Sequence, residues 1–458
     1  MFERTLFIFN RDLRIIDNSG LIEASKKSKL IIPIFIFTPE QIKNNEYKSN
    51  KAVHFMIESL KELENYIEKK NGKINFFYGE NEKLLNYLIK ELNIDSVFKN
   101  KDYTPYAKER DENINNICKE HNIYFESHHD VCLFEPGSIL TANKTVYEKF
   151  TPFYNKCLKN LSKIQKLDKS NINKFSNIKI KKSVSLKDIL KNYVRDNEKI
   201  LIGGRSEGLK KINDLKKYKK YSTSRNFLNI STTQLSAYLK FGCISIREVY
   251  DKLMKLYNKD NDIIRQLFWR DFYIHILDAN PQVLKGKSLK EKYDKIKWKN
   301  NKVWFEKWCN GETGFPIVDA CMRELNETGY MHNRGRLIVA SFLIKNLLVD
   351  WRWGEKYFAT KLVDYDPAAN NGNWQWVAGS GADSQPYFRI FNPWSQSEKH
   401  DPQAKYIKKW LPVFKDVEIK DIHKWNETYK EYNIKYPKPI IDYSVMREKA
   451  LQLYKKYL

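Results

Sequence analysis

Five short, almost purely apolar runs in the first 130 residues constrain this chain more than anything else in it. They are Thr5–Asn10 (TLFIFN), Leu30–Phe37 (LIIPIFIF), Ile74–Tyr78 (INFFY), Ser96–Phe98 and Ile123–Glu126. Runs this short and apolar suit strands buried on both faces. Between them lie polar stretches with helical spacing, such as Lys51–Lys70, KAVHFMIESLKELENYIEKK. Strand and helix in alternation predict a doubly wound parallel sheet, an α/β domain over residues 1–130.

The pattern then changes twice. Residues 131–200 lose clear periodicity, and Lys159–Lys199 is rich in Lys, Asn and Ser. This reads as a solvated interdomain connection with short helices. Over 201–458 apolar residues recur at helical spacing, as in Ile263–Leu277 and Ile317–Leu325. Ala340–Val349 (ASFLIKNLLV) is apolar nearly all round, as a deeply buried helix would be. The second domain is therefore predicted to be mostly α-helical.

Charge points to a partner. Lys and Arg total 81 against 56 Asp and Glu, a formal net charge of +25. Such an excess favours a polyanion, through phosphate contact and counterion release. An anionic membrane surface is the alternative, and abundant Lys, Asn, Ile and Tyr make part of the excess compositional. No run reaches about 18 consecutive apolar residues, so no membrane span is expected. The opening MFERTLFIFNRDLR reads as a strand rather than a signal peptide. Cys118, Cys132, Cys157, Cys243, Cys309 and Cys321 form no C-x-x-C pair and read as thiols in a reducing compartment. An intracellular protein, cytoplasmic or nuclear, is expected. Cys118/His121 and His129/Cys132 have gaps that suit zinc, but the run between them reads as a buried strand holding the pairs apart. No metal site is expected there.

Several local patterns bear on chemistry. Gly203-Gly204-Arg205-Ser206-Glu207-Gly208 does not fit G-x-G-x-x-G and reads as a helix-entry loop. In Ser231–Ala237 three hydroxyl residues precede the apolar stretch LSAYLKFG. They suit a helix cap or a phosphate site. Met331–Pro393 is richest, with MHNRGR, DWRWGEKYF, DYDPAANNGNWQW and PYFRIFNP. Arg334 and Arg336 suit phosphates. Asp364 and Asp366 lack the further ligands of a metal site, so they suit hydrogen bonds to a ligand or an Arg. Asn370–Asn373 reads as a turn projecting amides at a cofactor. Trp298, Trp351, Trp353, Trp374 and Trp376 matter if they cluster, since aromatics among Arg and Lys suit base stacking.

Together these segments resemble the photolyase/cryptochrome family along nearly the whole chain, and most of all its class I cyclobutane pyrimidine dimer photolyases. FNRDLRIIDNSGL is similar to the opening of the family's antenna domain. FWRDFY, GETGFPIVDACMREL, MHNRGR, DWRWGEKYF and AANNGNWQWVAGSGAD are similar to its most specific motifs. The resemblance implies a C-terminal helical domain that binds FAD in a folded, U-shaped form. It implies light-driven repair of ultraviolet-damaged DNA, by electron transfer from excited reduced FAD to a flipped-out pyrimidine dimer.

By position, it places Thr232, Thr233, Leu235 and Ser236 on the FAD phosphates. Tyr221, Arg270, Asn333, Arg336, Asp364 and Asp366 would complete the FAD site, with Asp364 paired to Arg336. Asn370 would sit beside the flavin N5. Plant-type cryptochromes carry an acid there and insect-type ones a thiol, so the amide implies a repair enzyme. Trp374, Trp351 and Trp298 match an electron-transfer chain from flavin to surface. Trp269 and Trp376 match the aromatics that pack on the dimer, and Arg225, Arg334 and Arg389 match DNA phosphate contacts.

The match departs in places. Gln266 stands where a Glu is typical and Leu337 where a Met is. Gln266 can hydrogen-bond a thymine edge but cannot donate from a protonated carboxyl. Six-four photolyases also carry Gln there, but need two His where this chain has Asn333 and Leu337. DASH-type cryptochromes tend to have Tyr where Trp376 stands. Tyr106 and Ala107 replace the Asn-Glu pair that holds folate in some relatives, leaving a deazaflavin, a second flavin or no antenna. The rival readings are a cryptochrome-type light receptor, disfavoured by the short stretch ending at Leu458, and a nucleic-acid-binding module without flavin. A monomer is the family expectation.

Overall fold

In the computed structural model, which describes residues 1–193 and 200–457, the five apolar runs form one parallel sheet. The strands are β1 (Phe2–Phe9), β2 (Ser28–Phe37), β3 (Asn75–Tyr78), β4 (Ser96–Asn100) and β5 (Tyr124–His128), in the order β3-β2-β1-β4-β5. Helices α1 (Ser19–Lys27), α2 (Asn50–Glu68), α3 (Asn81–Leu92) and α4 (Pro105–Glu120) connect them. Asn18, Ser49 and Thr104 start α1, α2 and α4 by accepting from a free backbone N–H of the first turn. The chain winds outward from β1 through β2 to β3 on one side, then crosses back to lay β4 and β5 on the other side of β1. That reversal opens a crevice beyond the carboxyl ends of the strands.

Two expectations need correction here. β5 is a half-exposed edge strand rather than a buried one, because no strand pairs on its outer side and its residues are largely polar. His121 bonds Asn86 (2.7 Å), while His129 lies between the Tyr103 hydroxyl (2.8 Å) and the Cys132 carbonyl (2.9 Å). Among the described residues no group of three or more His, Cys, Asp or Glu is placed to hold a metal. The connection is also less solvated than expected. It carries helix α5 (Phe150–Leu158), and Ile172, Phe175 and Ile180 are buried. Backbone bonds from Ile31 to Lys174 and from Ser176 to Ile31 tie it to β2. Its apolar anchors follow neither a strand nor a helix period, so no pattern announced them. Part of it, 194–199, lies outside the described residues.

The second half is helical. The site uses α6 (Ser236–Lys240), α7 (Ile246–Leu256), α8 (Asp262–Ala279), α9 (Pro316–Thr328), α10 (Asn333–Ser341), α11 (Trp351–Lys361), α12 (Pro367–Ala378) and α13 (Tyr443–Tyr457). Ala340–Val349 is buried, but it is not one helix. α10 ends at Ser341, and Phe342–Asn346 widens into a π turn. There the buried Lys345 donates to the Arg389 carbonyl (2.8 Å). The Gly203-Gly204 segment enters a helix, Arg205–Asn213. A Cβ on Gly203 would fall 2.2 Å from the Phe55 carbonyl oxygen, so glycine lets this entry lie against α2.

Buried charge joins the halves. Asp130 accepts from Arg14 Nη2 (2.7 Å) and Arg247 Nη2 (2.7 Å), and Arg247 Nε donates to Asp17 (2.8 Å). Arg247 belongs to α7 and the other three to the α/β half. Burial disfavours the Asp130 charge, but the two guanidinium groups hold its carboxyl well below the usual range.

Candidate active site

Helix α12 packs on α8, α10 and α11, and these four carry most of the expected site residues. Asp366 starts α12 by accepting from Ala368 N (3.0 Å) and Ala369 N (3.2 Å), with Pro367 in the first turn. Asn370–Asn373 is therefore helical and not the turn its composition suggested. The cap and the packed neighbours override weak local propensity.

Asn370 Nδ2 donates to Glu355 Oε1 (2.9 Å) and to the Glu355 carbonyl (3.1 Å). Both bonds use the amide nitrogen, so the amide oxygen is the atom a ligand could use. Burial pushes the Glu355 carboxyl up to about 7. Arg336 Nη2 meets both oxygens of Asp364 (2.9 and 3.1 Å), the pairing the resemblance implied, and Ser236 Oγ donates to Asp364 (2.6 Å). Burial disfavours the Arg336 charge, but Asp364 outweighs it and raises the pKa. Asp366 takes a different task, pairing with Arg11 across the domain boundary (2.5 Å). Burial would raise its pKa, but Arg11, Arg270 and Lys240 hold it well below the usual range.

The Thr232–Ser236 loop is held from behind. Tyr218 Oη donates to the Thr232 carbonyl (2.8 Å), and the Thr232 hydroxyl meets Tyr330 Oη (3.3 Å). The backbone turns at Gln234 with φ 53°. Leu235, not a hydroxyl residue, occupies the cap position of α6, and no side chain caps it. The expected hydroxyl cap is thus absent, and buried Leu235 offers a ligand only backbone. Arg270 Nη1 donates to the Val131 carbonyl (2.6 Å), Tyr221 is half-buried, and Asn333 is exposed at the start of α10. Two guanidinium groups, an uncapped helix start and a free amide carbonyl form a donor and acceptor set that suits FAD.

The tryptophans divide by depth. Trp374 and Trp351 are buried in one core with Trp308 and Phe358, while Trp298 is half-buried at its edge against Tyr454 (centroids 5.9 Å). Trp353 packs edge-on against Phe305 (5.1 Å). On α8, half-buried Trp269 lies flat on Phe150, with centroids 3.7 Å apart and planes within 5°. Phe272 meets it edge-on at 5.7 Å. Trp376 and Leu337 are half-buried, and Gln266 Nε2 donates back to the Asp262 carbonyl (3.0 Å). Arg334 bonds Asn226 (2.6 Å), and its charge is disfavoured by burial, Arg225 and Arg389 in that order. The three guanidinium groups therefore share one electrostatic field. Arg225 also approaches Asp262 at 3.4 Å.

A cavity of about 680 Å³ lies elsewhere, at the carboxyl ends of β1 and β2. Asn10, Arg11, Thr38, Tyr106 and Ala107 line it from the α/β half, and Lys240, Trp351 and Glu355 from the helical half. Burial, then Arg11, pushes Lys240 down to about 8. Sequence reasoning missed this cavity's helical wall, and also Glu355, Phe150 and Arg11. Glu355 lies within the quoted DWRWGEKYF, but nothing local marks it as the partner of Asn370.

A parallel α/β domain docked on helices that offer a flavin-suited donor set defines a two-domain flavin-binding architecture. Comparison with known proteins agrees. Residues 5–171 match the model of the DNA photolyase domain, and 263–456 that of the FAD binding domain of DNA photolyase. The deoxyribodipyrimidine photo-lyase of Buchnera aphidicola subsp. Baizongia pistaciae is 37% identical, over 98% of both chains. A photolyase structure from Sulfolobus tokodaii is 40% identical with a TM-score of 0.89, covering 99% of this chain and 100% of that one. A Synechocystis cryptochrome structure is 27% identical with a TM-score of 0.89, over 99% of each chain. The chain belongs to the DNA photolyase family.

Proposed function

We propose that the protein is a deoxyribodipyrimidine photo-lyase that repairs cyclobutane pyrimidine dimers in DNA by light. The observation that carries this reading is Asn370, whose Nδ2 is committed to Glu355, so that a neutral amide oxygen is the group it would offer a flavin. Reduced FAD, when bound, supplies the photoexcited electron that splits the cyclobutane ring and is then returned. The chain's own residues do the rest. The Thr232–Ser236 loop would hold the FAD phosphates, and Arg336 and Arg270 would complete the site and orient the cofactor. Asp364 fixes Arg336, and the Asn370 amide oxygen would accept from a protonated flavin ring nitrogen. Trp374 and Trp351 in the core and Trp298 at its edge form a path by which an electron reaches the flavin from the surface. Trp269, Trp376 and Leu337 wall the dimer, and Gln266 turns its amide to a pyrimidine edge. Arg225, Arg334 and Arg389 hold the flanking phosphates.

The Sulfolobus tokodaii photolyase holds two FAD molecules. The cavity at the strand ends, with its cationic wall and about 680 Å³, suits a second chromophore of that planar, anionic kind here. Among the described residues no helix is long and apolar enough to cross a membrane.

The reading is tested by titrating the FAD-loaded, reduced protein with a duplex holding one cyclobutane thymine dimer, against the same duplex undamaged. A repair enzyme prefers the damaged duplex in the dark and loses that preference after blue light, because the lesion is gone. A preference that survives illumination with FAD bound contradicts repair and supports a light receptor of cryptochrome type.

A further inference from the structure

The segment just before the lesion site holds a feature the function above does not use. Residues 209–220 read LKKINDLKKYKK, six lysines in twelve residues. The segment has two faces. Leu215 is fully buried, and its carbonyl accepts from Tyr257 Oη (2.6 Å). Tyr218 turns inward to hold the Thr232 carbonyl (2.8 Å). Lys216, Lys217, Lys219 and Lys220 point outward and are exposed. Lys217 pairs with Asp214 (2.7 Å), whereas Lys216, Lys219 and Lys220 make no salt bridge among the described residues. The Lys220 carbonyl then accepts from the Thr223 and Ser224 hydroxyls (3.0 Å each), joining the lysines to the turn Tyr221–Ser224. That turn packs on α8, the helix of Gln266 and Trp269, and leads into Arg225. The lysines are thus fixed to the rim of the site, continuous with the three arginines that share one field.

We propose that Lys216, Lys219 and Lys220 form a basic wing that grips the phosphate backbone of duplex DNA flanking the lesion. This rests on the reading of damaged DNA as substrate. Three exposed ammonium groups on a braced segment, with the Asp214 carboxylate already paired to Lys217, favour a polyanion over solvent alone. Contacts to phosphate carry no sequence or lesion information, so the wing sets general duplex affinity and salt dependence, leaving dimer recognition to the pocket.

The test compares wild type with the triple variant Lys216→Gln/Lys219→Gln/Lys220→Gln and with the corresponding triple Lys→Arg variant. Binding to an undamaged duplex is measured over a salt series, and light-driven repair is measured on a bare thymine dinucleotide dimer, too short to reach the wing. At about 0.9 per phosphate contact, the Gln variant should lose about 2.7 from the slope of log affinity against log salt. The Arg variant should keep the wild-type slope, and dinucleotide repair should be unchanged in both. An unchanged slope in the Gln variant overturns the wing. So does a loss of dinucleotide repair in that variant, which would make the change a general one. If wild type fails to distinguish dimer from undamaged DNA, the reading of function fails, while the slope comparison still decides the wing.

Discussion

At the scale of single residues, the account turns on side chains whose partners lie far away in sequence. Glu355 is the sharpest case. A carboxyl raised to about 7 by burial keeps its proton where the unfolded chain, near ~4.3, has released it. Stability of the flavin-free protein should therefore fall as pH rises through that window, by about 4 kcal/mol at most. Glu355→Gln should flatten that fall, which denaturant titrations between pH 4 and 8 would show. Phe150 is the second case, since it fixes the plane of Trp269 by flat stacking at 3.7 Å. Phe150→Leu keeps a branched apolar side chain, at some loss of volume, and removes the ring. It should weaken binding of dimer-containing DNA by about 0.5–1.5 kcal/mol, the worth of an aromatic pair, and leave undamaged DNA unaffected. Equal loss on both would mean a general effect. Neither residue was legible in the sequence, because Glu355 and Asn370 stand 15 residues apart and Phe150 and Trp269 lie in different segments. The pairing of Asp364 with Arg336 was legible through the family motifs, whereas the Arg11 partner of Asp366, 355 residues away in the chain, was not.

At the scale of elements, legibility followed burial pattern. The central strands stood out because strands covered on both faces are nearly continuous apolar runs. β5 misled because a short run does not reveal whether its edge will be paired. The connection misled because its anchors, Ile172, Phe175 and Ile180, have no period. Ala340–Val349 was correctly read as buried, but a π turn differs from an α turn by one residue of register that composition does not encode. Helix pairing was also invisible, and it makes one glycine testable. A Cβ on Gly354 of α11 would fall 2.2 Å from Trp374 Cη2 and 2.6 Å from Leu343 Cδ2. Gly354→Ala should cost about 1–3 kcal/mol by overpacking. It should also displace the Trp374 indole, slowing light-driven reduction of bound FAD. Unchanged melting and unchanged photoreduction would place Trp374 elsewhere.

At the scale of the whole molecule, the two halves act as one because charge is buried between them. Asp130→Asn would leave Arg14 and Arg247 without their shared carboxylate, at a cost of about 3–5 kcal/mol in a thermal or denaturant melt. The same group makes stability acid-sensitive. A carboxyl held below its unfolded value contributes fully above about pH 4 and loses that contribution as pH falls toward its folded value. The joined halves place the strand-end cavity against Trp351 and Glu355 of the helical half. The proposed division of labour is pocket for lesion, arginines and lysines for duplex, and tryptophans for reduction. It is tested most directly by illuminating the reduced, FAD-loaded protein with two oligonucleotides, one holding a cyclobutane thymine dimer and one a six-four lesion, with dark controls. Light-dependent repair of the cyclobutane dimer alone is the predicted result, with Gln266 and Leu337 serving in place of Glu and Met. Repair of the six-four lesion alone, or of neither with FAD bound and reduced, would contradict it.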